Sequence, residues 1–197
     1  MKPVIARCAS IAGILLCGLG LFAGLAESRG SSSGGFRVSL EGGELHGFQW
    51  GLAATGSKEM PLRKVCAVVS EVAPPQPGTE FVETSETSSC GSLREASDSI
   101  TLSTVFGTDQ EAATLLRTSL YPKDVRRATF VLAGGEELTY RAKGIKVRNR
   151  KAKGIPFFRY LVAKFSVEAC IQRTVIYDSR GRVIGTEKGD KTCPRGA

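Results

Sequence analysis

The stretch Ala128-Thr129-Phe130-Val131-Leu132-Ala133-Gly134-Gly135-Glu136-Glu137-Leu138-Thr139-Tyr140-Arg141-Ala142 decides the fold class. Two short β-prone runs, residues 128–132 and 136–142, flank a glycine pair, the sequence signature of a β-hairpin. The pattern recurs downstream, where residues 171–177 and Val183-Ile184 flank Asp178-Ser179-Arg180-Gly181-Arg182, with Gly181 where a positive φ is needed. Upstream, Phe36-Arg37-Val38-Ser39-Leu40 alternates apolar with polar residues. Phe48, Trp50, Leu52 and Ala54 fall at period two, as do Ile100, Leu102, Thr104 and Phe106. Val65, Val68, Val69 and Val72 around Cys66-Ala67 form a denser run, as in a strand covered on both faces. Residues 157–167 are rich in Phe, Tyr, Leu and Val.

Two segments read less simply. Leu115, Leu116, Leu120 and Tyr121 precede Pro122, and Thr108 with Glu111 has capping-box spacing, so a short helix competes with a strand there. Residues 73–97 hold Pro74, Pro75, Pro77 and a Ser/Thr/Glu-rich tract around Cys90, and read as a long exposed loop. About nine or ten strands without a long amphipathic helix predict an all-β chain. The expected architecture is an antiparallel β-sandwich, immunoglobulin-like in outline, with a closed β-barrel as the alternative.

The strands begin late in the 197 residues. Lys2 and Arg7 are followed by 19 uncharged residues, and Gly24 and Ala26 supply the small residues of a signal-peptidase site. Residues 1–26 therefore read as an export signal; the alternative is an uncleaved anchor, since about 20 apolar residues cross a bilayer. Residues 27–35 are a Ser/Gly tether, and 36–197 a single domain, long enough to bury about 70% of its unfolded surface. A hydrophobic content of 42% with 23% charged residues argues against wholesale disorder. The expected location is secreted or in the cell envelope.

Beyond the signal remain Cys66, Cys90, Cys170 and Cys193. Four cysteines in an exported chain predict two disulfides. Of three possible pairings, the nearest-neighbour one, Cys66–Cys90 with Cys170–Cys193, is favoured. Zinc sites use close cysteine pairs, whereas the nearest cysteines here lie more than twenty residues apart, so no metal is expected. No cofactor motif is present either, since no phosphate-cradling glycine loop runs from a strand into a helix.

Charge is the strongest anomaly. Arg141, Lys143, Lys146, Arg148, Arg150, Lys151, Lys153 and Arg159 put eight cations within residues 141–159 without one acid. Residues 65–115 hold eight acids against Arg94 alone. From Glu27 onward there are 25 cations and 19 acids, a net +6. A basic cluster concentrates anionic partners, which outside a cell means envelope polymers or lipid headgroups. Lys143, Lys146, Arg148, Arg150, Lys151 and Lys153 are the candidate binding residues; a solvated loop, or one paired with the acidic segment, is the bland alternative. Nucleic acid is the weaker partner, because Phe157 and Phe158 read as core rather than as base-stacking platforms.

Catalytic constellations fare poorly. The one histidine, His46, reads as a solvated turn residue. The Gly-x-Ser-x-Gly match at residues 30–34 lies in the tether, without the strand and helix that a nucleophile elbow needs. Glu83 and Glu86 sit in a Ser/Thr-rich segment with only Phe81 near to hold a sugar. Trp50 alternates in register with Phe48 and Leu52 and reads as core.

Tyr121-Pro122-Lys123-Asp124-Val125 through Leu132 with Gly134-Gly135, and Thr174 through Gly185 with Tyr177-Asp178 and Gly181-Arg182-Val183, resemble exported β-rich proteins of unknown function from high-GC Gram-positive bacteria. Trp50, Cys66 and Cys90-Gly91 fit the same pattern, whereas the basic run at 143–153 departs from it. The resemblance brings no activity, cofactor or site residue. The functional expectation is a non-enzymatic extracytoplasmic β-domain binding an anionic envelope polymer through its basic loop. Its rivals are an envelope enzyme of unrecognised type and a secreted effector or inhibitor presenting the 73–97 segment.

Overall fold

The computed structural model describes residues 35–57, 64–74, 84–95, 97–107, 113–148 and 154–189. The expected signal, most of the tether, Arg150, Lys151, Lys153 and Cys193 lie outside them. The described residues form twelve strands in three four-stranded antiparallel sheets. Sheet A is a meander of β1 (Gly35–Leu45), β2 (Phe48–Ser57), β3 (Lys64–Val72) and β4 (Thr84–Ser92). Sheet B is ordered β5 (Ile100–Phe106), β6 (Thr114–Pro122), β10 (Phe158–Ser166) and β9 (Lys143–Gly144). Sheet C is ordered β12 (Val183–Lys188), β11 (Ile171–Tyr177), β7 (Arg127–Leu132) and β8 (Glu137–Arg141). The sheets are not closed into a barrel, and the expected antiparallel sandwich is the architecture found. It carries one sheet more than a two-sheet outline.

Sheet B is the middle layer, and its side-chain alternation shows why. Leu116 and Leu120 of β6, with Phe158 and Tyr160 of β10, pack against Trp50, Leu52, Ala67 and Val69 of sheet A. Their neighbours Tyr121, Leu161, Ala163 and Phe165 face a second core with Phe130, Ile171 and Ile176 of sheet C. In that core Phe130, Tyr140 and Phe165 meet edge to face, with centroids 5.1 to 5.9 Å apart. The helix expected as a competitor over residues 113–121 is absent, because adjacent leucines here serve opposite faces of one doubly covered strand.

Part of the segment 73–97, expected as a long exposed loop, is a strand. Thr84–Ser92 is strand β4, paired with β3 from Val72↔Thr84 to Lys64↔Ser92. It escaped notice because it is an edge strand whose core-side positions are Ser85, Thr87, Ser89 and Gly91, so no apolar alternation marks it. Cys66 stands opposite Cys90 in this ladder, and the two are disulfide-bonded. Cys170 is also disulfide-bonded, with its partner outside the described residues. A disulfide is compatible with an extracytoplasmic protein.

Hairpin chemistry follows the sequence. His46 and Gly47, at φ 52° and 81°, make the two-residue turn between Leu45 and Phe48. Gly181, at φ 76°, closes the β11–β12 turn, where the Asp178 carboxylate accepts backbone bonds from Arg180 and Arg182.

Candidate functional site

The basic run begins where sheets A and B meet. A bulge in β1 between Ser39 and Glu41 frees the Leu40 carbonyl, which accepts from the Tyr160 hydroxyl at 3.0 Å. Beside it, Lys143 Nζ donates to both oxygens of Glu41 at 2.7 and 2.8 Å. Lys143 also lies 6.0 Å from the Tyr160 ring centroid. Burial pushes the Tyr160 phenol up; the Glu41 charge adds to this and Lys143 opposes it. Lys143 is thus a clasp between two sheet edges.

Lys146 and Arg148 are exposed, on the irregular chain after β9. Arg150, Lys151 and Lys153 follow in sequence, outside the described residues. Arg159 of β10 donates from Nε to the Lys123 carbonyl at 3.0 Å and from Nη1 to the Ala142 carbonyl at 3.2 Å. It therefore fastens the turn after β6 to the residue from which the basic run departs. Its forked guanidinium suits bonding two carbonyls at once.

Next to this turn lies a cleft of about 650 Å³. Buried Val65 and Phe158 line it together with exposed Arg94, Lys123, Asp124 and Phe157. Phe158 is core, as expected, but Phe157 is 53% exposed. The alternation of β10 points Phe158 inward, and Phe157 lies just ahead of that strand. Both cations sit on hydrogen-bonded turns. The Asp98 carboxylate accepts from the backbone N–H of Arg94 and Glu95 at 2.7 and 2.8 Å. Val125 N–H returns to the Pro122 carbonyl around Lys123 and Asp124. Sequence reading missed Arg94, Lys123 and Phe157 as neighbours, because they come from three separate segments.

The remaining candidates have other work. His46 Nε2 bonds the Thr114 hydroxyl at 2.8 Å, fixing the β1–β2 turn to the start of β6. Glu86 is paired with Arg37 at 2.9 Å and accepts from Ser70. The hydrogen bond from Arg37, then that from Ser70, holds its carboxyl below the usual value. Glu83 and the residue 30–34 motif lie outside the described residues. Trp50 is buried in the first core. Among the described residues, no three His, Cys, Asp or Glu side chains gather to hold a metal ion. No helix among them is long and apolar enough to cross a membrane.

The candidate site therefore has two cationic parts, exposed Lys146 and Arg148 on the basic run and exposed Arg94 and Lys123 at the cleft. No protein-family model, curated protein or solved structure matches the chain.

Proposed function

We propose that this protein is a non-enzymatic, extracytoplasmic β-domain that holds an anionic envelope polymer against its basic run. The observation that carries this reading is the acid-free stretch of residues 141–159, in which Lys143 is paired with Glu41 while Lys146 and Arg148 stand exposed, with no carboxylate partner among the described residues. Cations presented on an exposed segment reach an anionic chain with little desolvation cost. The Arg159 bonds to Lys123 and Ala142 support it further, because they hold the base of the run in place before any partner arrives.

The test is retention of the full chain on immobilised polyphosphate and polygalacturonate across a salt series. Retention should fall steeply as the Debye length shortens from about 10 Å to about 3 Å. Replacing Arg148, Arg150, Lys151 and Lys153 with Ser should abolish it and leave the thermal midpoint nearly unchanged. A variant retained as well as its parent overturns the assignment to the loop.

A further inference from the structure

The outward face of sheet C repeats a pattern that a folded sheet ordinarily avoids. Register places Arg127 opposite Arg141, and Arg173 opposite Lys188. Paired residues on neighbouring strands point to one side, about 5 Å apart, and like charges placed so are destabilising. Both pairs lie on the same face. Arg127 and Tyr177 are paired, and Val131 is paired with Arg173, which links the four strands into rows. The intervening residues Ala128, Phe130, Thr174 and Ile176 point the other way and are buried against sheet B.

The face therefore reads as three rows. One runs Arg141–Arg127–Tyr177–Val183, with the Arg127 guanidinium 4.6 Å from the Tyr177 ring centroid and Val183 exposed at the outer edge. The next is Thr139–Thr129–Val175–Thr186, and the last is Glu137–Val131–Arg173–Lys188. Four cations share this surface with Glu137 alone. All four are exposed, and none has an ion-pair partner among the described residues. The adjacent Arg182, by contrast, is neutralised by Asp178 at 2.8 Å.

The middle row is short, β-branched and uncharged, so nothing rises between the two cationic rows. Thr129 and Thr139 share a hydrogen bond at 2.8 Å, which leaves one hydroxyl proton of the pair free to donate outward. The outer rows lie four positions apart along each central strand, a rise of about 13 Å. Arg141 also leads through Ala142 into Lys143, so the face continues the basic run.

We infer that the outer face of sheet C is a second docking surface for the same ligand class, a linear polyanion laid along the strands so that its phosphate or carboxylate groups neutralise both like-charge pairs. This rests on the polyanion reading above and adds to it a surface outside the loop. A linear chain fits better than a nucleic acid, because the aromatic ring on this face is already covered by Arg127. It fits better than a membrane, because the row between the cations is made of threonines and a half-buried valine rather than large apolar side chains.

The distinguishing variants are Arg141→Gln and Lys188→Gln, one member of each pair and neither stacked on a ring. Removing one charge of a repelling pair should leave the thermal midpoint of the full chain equal or raised. Retention on polyphosphate and polygalacturonate should drop at least about fivefold in the double variant, with a shallower salt dependence. A drop on polyphosphate alone identifies phosphate as the recognised group, and a drop on polygalacturonate alone identifies carboxylate. Unchanged retention in the double variant overturns the inference, and if the loop variant still loses binding, the loop reading stands without it. A lowered midpoint overturns it too, since the cations would then be structural. Loss of binding only to phosphatidylglycerol vesicles, with the soluble polymers unaffected, overturns it in favour of a membrane surface.

Discussion

Lys143 Nζ grips the Glu41 carboxylate across 102 residues of sequence, and with it β9 at the edge of sheet B is clasped to β1 at the edge of sheet A. The clasp sits beside the β1 bulge, where Tyr160 has already claimed the Leu40 carbonyl. One cation of the basic run is thereby structural, while its neighbours Lys146 and Arg148 remain exposed. The run divides into a paired cation and exposed ones, which its composition does not reveal.

That division is measurable. Lys143→Ser should cost under about 1 kcal/mol, because the pair is partly exposed and screened. It should leave retention on polyphosphate within about twofold of the parent. Lys146→Ser with Arg148→Ser should do the opposite, lowering retention without moving the melt. If Lys143→Ser weakens retention as much as that pair does, the division is wrong.

The shared middle sheet predicts that both cores melt together. Leu161→Ala opens a cavity in the second core and should cost about 3 kcal/mol. Trp50, the only tryptophan, lies in the first core. Its fluorescence transition should nevertheless shift with the far-ultraviolet circular dichroism, at one common denaturant midpoint. A Trp50 midpoint left at the parental value would show that sheet A unfolds separately.

The Cys66–Cys90 bridge closes a loop of 24 residues. In the chain-entropy model its removal costs about 3.5 kcal/mol. Paired Cys66→Ala and Cys90→Ala substitutions should lower the stability by that order, since β4 contributes little apolar burial of its own. Peptide mapping of the native protein should recover Cys66 linked to Cys90 and Cys170 linked to Cys193, with no free thiol beyond the signal segment. A Cys170 peptide linked elsewhere would refute the second pairing.

Acid should unfasten the Arg37–Glu86 pair. Hydrogen bonds from Arg37 and Ser70 lower the Glu86 carboxyl below 4.5, so folding favours its ionised form. The associated stability is fully present above that value and is lost as pH falls through the lower folded one. Both side chains are about half exposed, which limits the effect to under about 1 kcal/mol. Arg37→Gln should therefore lower the melting point at pH 7, with the difference from the parent vanishing toward pH 3. A difference that is independent of pH would mean that Arg37 acts through packing.

The sequence by itself determined the local pieces. Gly135 and Gly181 mark their hairpins, because each turn needs a positive φ that glycine adopts without strain. Period-two apolar residues delimit β1, β2 and β5, because each of those strands buries one face. Residues 114–122 needed the tertiary structure: Leu115 and Leu116 suit a helix stripe or a strand between two cores, and only the presence of sheets A and C on either side of β6 chooses. β4 was illegible for the opposite reason, an edge strand held by backbone pairing and one disulfide, with almost no apolar side chain to announce it. The charged surface divides likewise. The cations at 141–159 are clustered in sequence, so composition exposes them. The four on sheet C lie up to 61 positions apart, from Arg127 to Lys188, and share a face only through the register of β8, β7, β11 and β12. Strand register is a long-range property, fixed by how each strand's buried side must meet the core, and no local pattern carries it.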